Sequence, residues 1–177
     1  MRAVLTVRAD DRYSRAIRAT ADLLTRLRLT FAFVGSVSRS GLLGSRVDDG
    51  SIDVLALMTP EQKNQVAMMG SNRGFRVDRG EIEQSEELDL VPLNFEDIRV
   101  NVLVASNALY AHIVNAAVEA ALDGQTVRVA AAEDLALLLS LAEDPAAEML
   151  IRLPDFDRRA YNERLISIGL PQLVVAE

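Results

Sequence analysis

The stretch from Phe31 to Leu57 constrains this chain more than any other. Phe31-Ala32-Phe33-Val34 is an apolar, aromatic-rich run of strand length that stops at Gly35-Ser36. A strand that ends in Gly-Ser and leads into a helix offers unpaired backbone N–H groups and a hydroxyl, which are the donors a phosphate needs. A short helical segment (37–43) and a turn rich in Gly, Asp and Ser (44–50) follow. The chain then enters Ser51-Ile52-Asp53-Val54-Leu55-Ala56-Leu57-Met58, a strand that is apolar along most of its length but carries one carboxylate near its beginning. An ionised Asp there is costly unless it is hydrogen-bonded, paired or bound to a cation.

The remaining segments read as support for this pair of strands. Ile17, Ala21, Leu24 and Leu27 recur at helical spacing and predict a helix over about 12–28. Thr59-Pro60-Glu61-Gln62 is a strong helix start: Thr59 caps, Pro60 occupies the first turn and Gln62 reaches back. Residues 75–87, dense in charge and including Glu81, Glu83, Glu86 and Glu87, read as an exposed hairpin or loop. Strands are expected at about 88–93, where Asp89 is a second, weaker candidate for a cleft carboxylate, and at about 98–105. The periodicity of 108–122 predicts a helix that ends at Asp123-Gly124. A short strand at about 126–130, a very apolar helix at 131–142 and a last helix at about 158–168 complete the pattern.

Strand, Gly-Ser, short helix, Arg-containing turn and a strand opening near an Asp resemble the signature of the nucleotidyltransferase-fold superfamily, the DNA polymerase β-like proteins. The nearest likeness is to small bacterial, abortive-infection-type nucleotidyltransferase-like proteins. Arg99-Val100-Asn101-Val102-Leu103-Val104 is similar to the family's third core strand, and Gly124 to Ala130 with Glu133-Asp134-Leu135 is similar to the strand and helix beyond it. The likeness spans about 24–153. It implies an α+β (α/β) fold: a mixed β-sheet flanked by helices, with a small C-terminal helical part. The expected organisation is one domain over 1–177, with the core at about 12–106 and a C-terminal strand and helices at about 107–177.

The family holds two divalent ions roughly 3.5–4 Å apart on three carboxylates. Aligned on the buried strand, those positions fall on Ser51, Asp53 and Asn101, so one charge of three remains. Asp48 or Asp49, in the preceding turn, is the alternative source of a second charge. Carried over from the family, Asp53 would be the Mg²⁺ ligand, Ser51 and Asn101 the other catalytic positions, and Gly35, Ser36, Arg39 and Arg46 the nucleotide-binding residues. The family's later basic residue has no counterpart in Glu143-Asp144-Pro145-Ala146-Ala147-Glu148.

Composition excludes several other chemistries. The chain has no cysteine and one histidine, His112, which removes disulfides, thiol catalysis and the usual His-based arrangements. No run approaches the roughly 18 apolar residues needed to span a bilayer, and no signal peptide precedes the first charges. A cytoplasmic protein without membrane contact is expected. The net charge of −7 argues against general nucleic-acid binding, although residues 1–46 hold nine arginines against three aspartates. Arg8, Arg12 and Arg15 would share one helix side, either as a solvated face or as a phosphate-binding patch.

Two functional classes follow. One is a Mg-dependent nucleotidyltransferase that moves a nucleoside monophosphate from an NTP to a protein, RNA or small molecule. The other, favoured by the missing carboxylates, keeps the fold without two-metal catalysis or its Mg cofactor. It would then serve as a binding or regulatory module, for example with a partner protein in a toxin–antitoxin pair.

Overall fold

The computed structural model describes residues 4–84 and 88–172. Glu86 and Glu87 of the acidic segment lie outside the described residues. The chain divides into two units, residues 1–130 and 131–177, each described by itself.

The first unit opens with two short strands, β1 (Leu5–Thr6) and β2 (Arg8–Ala9), followed by helix α1 (Asp11–Arg26). Asp10 caps α1 by accepting from the Tyr13 N–H. Its buried side, including Ile17, Leu23 and Leu24, packs into the main core. Next come β3 (Thr30–Phe33), α2 (Gly35–Leu43), β4 (Arg46–Val47) and β5 (Ile52–Leu57). Helix α3 (Pro60–Ser71) starts with the expected capping box, Thr59 and Gln62 bonding reciprocally. Beyond it lie β6 (Phe75–Arg76), α4 (Arg79–Gln84), β7 (Leu90–Phe95), β8 (Ile98–Val104), α5 (Ala108–Asn115), β9 (Val118–Leu122) and β10 (Gln125–Val129).

Eight of these strands form one mixed sheet in the order β1-β9-β10-β3-β5-β8-β7-β6, while β2 and β4 pair separately. β5 runs antiparallel to β3 and parallel to β8, with Asp53 opposite Asn101. β8 alternates buried and half-buried residues along its whole length, as a strand with one core face must. Ile52, Val54, Val100 and Val102 point into the main core, which leaves Asp53, Arg99 and Asn101 on the other side of the sheet. Each buried Val or Ile contributes about 1.5–3 kcal/mol, so this alternation firmly sets which face the polar residues take.

Three expectations need correction. The helix begun at Ala108 ends at Asn115, and Val118–Leu122 is a strand. Asp123 and Gly124 both have positive φ (47° and 80°), and they form the two-residue turn that pairs β9 with β10. Asp-Gly between two strands is a hairpin signal, and cross-strand pairing overrides the helix propensity of the alanine-rich run. Residues 79–84 are helical, with Asp78 accepting from the Gly80 and Glu81 N–H groups at the helix start. Asp89 is exposed and precedes β7, beyond the Leu90–Leu103 pair, at the end of the ladder away from Asn101.

The second unit contains α6 (Ala132–Leu141), α7 (Ala146–Ile151) and α8 (Arg158–Ser167). Both α7 and α8 pack on α6. Phe156 and Tyr161 stack with ring centroids 5.4 Å apart, and the Tyr161 and Ser140 hydroxyls are hydrogen-bonded at 3.0 Å.

Candidate functional site

Gly35 sits where the strand-to-helix turn needs a left-handed residue, with φ +56°. A Cβ built there would lie 3.2 Å from the Asp53 Oδ2, tighter than an ordinary contact, so the absent side chain and the left-handed φ both favour glycine at this turn. The Val34 N–H donates to the Asp53 carbonyl at 2.9 Å and fixes that approach. No side chain caps the start of α2, and no acidic residue lies in its first turn. Ser36 Oγ donates to the Ser51 carbonyl at 3.3 Å.

Two buried serines that the sequence reading did not single out hold α2 in place. Ser38 Oγ donates to the Phe33 carbonyl at 2.6 Å and accepts from the Ala130 N–H at 3.0 Å. Ser40 Oγ accepts from the Arg8 N–H at 2.7 Å and donates to the Arg8 carbonyl at 3.0 Å. Both hydroxyls tie α2 to backbone groups outside it, and the Ala130 N–H also donates to the Phe33 carbonyl at 2.9 Å. Their i, i+2 spacing in a helix gave no signal of this, since their partners are distant in sequence.

Ser51, Asp53 and Asn101 do come together. Asn101 Nδ2 donates to Asp53 Oδ1 at 2.8 Å, and Ser51 Oγ donates to Oδ1 and Oδ2 at 3.1 and 3.3 Å. On its other side, the Asn101 Oδ1 accepts from Arg99 Nε at 3.1 Å. Arg99 in turn pairs with Glu81 of α4, N···O 2.6 Å. These partners fix the Asn101 amide: reversed, its oxygen would face a carboxylate and its NH₂ a guanidinium. Alternation along β8 places Arg99 and Asn101 on one face, so the Arg-x-Asn spacing was the sequence signal for Arg99.

The other candidates are placed as follows. Arg39 is half-buried on α2, one helical turn after Gly35 and Ser36. Arg46 is exposed in the separate two-stranded sheet, opposite Arg8, and makes no hydrogen bond or ion pair to the Asp53 group. Asp48 and Asp49 are exposed in the turn. That turn is tied to α1 by the Tyr13 hydroxyl, which donates to the Gly50 carbonyl at 2.9 Å. Burial, helped by the Asp49 charge, raises the Tyr13 pKa. Arg12 pairs with Asp97 at 2.8 Å and Arg15 with Glu96 at 3.0 Å, so two arginines of the expected basic face meet acidic partners from the β7–β8 turn. His112 is exposed on α5.

Among the described residues, no group of three or more His, Cys, Asp or Glu is placed to hold a metal ion. A protein-held pair of divalent ions needs several anionic oxygens. The site offers one carboxylate, and Asn101 turns an N–H rather than an oxygen towards it. This donor set does not fit a two-ion centre. No helix among the described residues is long and apolar enough to cross a membrane.

No family model and no curated relative matches the chain. Solved structures do. The crystal structure of ANT(2'')-Ia in complex with adenylyl-2''-tobramycin is 19% identical over 89% of this chain and 90% of that one, with a TM-score of 0.52. The solution structure of the antibiotic-resistance factor ANT(2'')-Ia is 18% identical over 89% and 84%, with a TM-score of 0.53. An antigenic nucleotidyltransferase-like protein from Paracoccidioides brasiliensis is more distant, at 13% identity over 85% and 75% and a TM-score of 0.45. The mixed sheet with Asp53 and Asn101 on adjacent parallel strands, together with the likeness to ANT(2'')-Ia, shows that this chain has the nucleotidyltransferase fold.

Proposed function

We propose that this chain keeps the nucleotidyltransferase fold as a binding or regulatory module and has lost two-metal catalysis. The observation that carries this reading is the state of Asp53. It is the one carboxylate among the three aligned positions, and it accepts from Asn101 and Ser51 instead of facing a second carboxylate across the strands. The ligand class is a nucleoside triphosphate at the Gly35-Ser36 turn, or a partner protein whose binding this site controls. Calorimetric titration with ATP, GTP, CTP and UTP, with and without Mg²⁺, tests the reading. No nucleotidyl transfer is expected under any condition. Mg²⁺-dependent binding of one nucleotide, accompanied by transfer, would overturn it.

One observation favours the second reading, a Mg-dependent nucleotidyltransferase. The uncapped start of α2 stands directly over the Asp53 carboxylate, where a nucleotide-borne ion would have to sit. In that reading Gly35 and Ser36 grip the triphosphate, Asp53 holds the ion and Arg39 or Arg46 offsets developing charge. The complex of ANT(2'')-Ia with adenylyl-2''-tobramycin makes tobramycin the first small-molecule acceptor to test, with ATP as donor. Formation of an adenylylated product that Asp53→Ala abolishes would establish this reading.

A further inference from the structure

We propose that the cleft between β3 and β10 binds the C-terminal end of an extended peptide, which adds its backbone to the open part of the β3–β10 ladder and places its terminal carboxylate on the Arg128 guanidinium. The cleft lies at the Thr30 end of β3, whereas the Asp53 group lies at the Val34 end, so the two sites are separate. The inference does not depend on how the Asp53 group is read.

The ladder between these two parallel strands opens. Among the described residues its registered pair is Val129↔Phe33, although both strands continue towards their N-terminal ends, β3 along β5 and β10 along β9. A cleft of about 590 Å³ occupies the opening, lined by Thr30, Phe31 and residues 125–128 and flanked by α1. The Val34 N–H bonds the Asp53 carbonyl, so alternation along β3 turns the backbone groups of Thr30 and Ala32 to β5 and those of Phe31 to β10. The Ala130 N–H bonds the Phe33 carbonyl, and the same alternation turns the backbone groups of Thr126 and Arg128 to β3. Two strand edges thus face each other across the cleft with no registered pair between them, which is the geometry that strand addition uses. Phe31 and Val127, both buried, give the cleft an apolar floor.

Two features select a carboxylate terminus. The cleft is closed at its inner end, where the Phe33 carbonyl accepts from the Ala130 N–H at 2.9 Å and from Ser38 Oγ at 2.6 Å, so the strands are pinned together. An inserted chain cannot run through and must end there. Arg128, beside the closing pair, is half-buried, and its guanidinium meets only neutral oxygens: the Val114 carbonyl at 3.0 Å and the Phe31 carbonyl at 3.4 Å. Glu119, opposite it on β9, is exposed and makes no ion pair with it. Of the other charged residues lining the cleft, Asp22 is already paired with Arg26 and Arg73, and Arg28 has no acidic partner among the described residues. A partly desolvated guanidinium gains most from a carboxylate, which it holds through two parallel N–H donors. The long contact to Phe31 yields readily to such a pair.

The test titrates the full chain with the peptide Ac-Gly-Thr-Val-Thr-Val, as the free acid and as the C-terminal amide, and with sodium acetate. Heteronuclear NMR reads affinity and location together. The backbone amide signals of Phe31, Thr126 and Arg128 should shift, and those of Asp53 and Asn101 should not. The acid should bind about tenfold or more tighter than the amide, because only the acid offers Arg128 a charge. Acetate, which has the carboxylate without the strand, should bind about tenfold or more weakly than the acid. Arg128→Gln should abolish the preference for the acid, and Arg128→Lys should keep part of it. Should Arg128→Gln fail to fold, the comparison of acid with amide in the parent still decides. Equal affinity for acid and amide overturns the proposal, as does acetate binding as tightly as the acid. Shifts that cluster away from the cleft, an Arg128→Gln variant that still prefers the acid, or no binding of the acid at about 1 mM each overturn it too.

Discussion

Asp53 and Asp134 are both aspartates set among apolar residues, and they are stabilised in opposite ways. Asp134, in α6, is fully buried, and Arg164 of α8 meets it directly at 2.6 Å with 17% of its side chain exposed. Asp53, in β5, is half-buried and accepts from two neutral donors, with the nearest cation in its network one residue further on. A carboxylate in a fully dry site needs an opposite charge at contact distance, because desolvation otherwise exceeds what neutral hydrogen bonds return. A carboxylate at the edge of a cleft does not. The direct pair identifies Asp134 as architecture of the helical unit, whereas Asp53 is half-buried, with its Oδ2 close beneath the turn at Gly35.

The contrast predicts its largest effect at the buried pair. Asp134→Asn removes the buried Asp134–Arg164 ion pair and should lower the stability of the helical unit by about 3–5 kcal/mol, read by urea unfolding followed through far-UV circular dichroism. A loss below about 1 kcal/mol would place Asp134 in the same class as Asp53 and remove the distinction.

Next comes a gain at the cleft. The double variant Ser51→Asp with Asn101→Asp restores the family's three carboxylates and should bind Mn²⁺ or Mg²⁺. At a hundred times its dissociation constant the ion should stabilise the variant by about 2.7 kcal/mol, which a thermal melt would show, while the parent does not respond. An unresponsive double variant would mean that β5 and β8 do not correspond to the family's metal strands.

Ser38→Ala tests what holds the Gly35 turn over Asp53. It removes one partner each from the Ala130 N–H and the Phe33 carbonyl, which still bond each other at 2.9 Å, and should cost about 1.5 kcal/mol by chemical denaturation. Asp53→Asn should cost less, about 1 kcal/mol or under, because an amide oxygen still accepts from Asn101. If Asp53→Asn proved as damaging as Asp134→Asn, Asp53 would be architecture too.

The smallest effect lies at Tyr13, which anchors the turn before Asp53. Its folded-state pKa is raised above the ordinary tyrosine value of 10.0, first by burial and then by Asp49. The stability gained by keeping the phenol protonated is complete below pH about 10 and is lost as the pH rises through the folded value. Tyr13→Phe should flatten that alkaline loss in melts recorded between pH 9 and pH 11.

Much of the first unit was legible because its signals are local. The apolar run 31–34, the Gly-Ser stop and the Thr59–Gln62 capping box each describe a few adjacent residues whose chemistry permits one conformation. The strand at Val118–Leu122 was not legible in the same way, since Ala, Val, Glu and Leu at that spacing suit a helix as well. Its strand state comes from β10 on one side and β1 on the other. For the site, the family resemblance placed Ser51, Asp53, Asn101, Gly35 and Ser36 in one neighbourhood. It could not place Arg46, whose strand pairs away from that group with Arg8.

The sequence alone therefore determined which strands flank the site, the glycine that lets α2 approach Asp53, and that one carboxylate stands where the family has three. Only the tertiary structure decided what Asp53 touches, how the Asn101 amide is turned, and that Glu81 and Arg99 complete the network. The Glu81–Arg99 and Asp53–Asn101 contacts join residues 18 and 48 positions apart. Hydrogen-bond direction and ion pairing depend on distances of a few tenths of an ångström, which side-chain packing across the sheet sets and residue order does not encode.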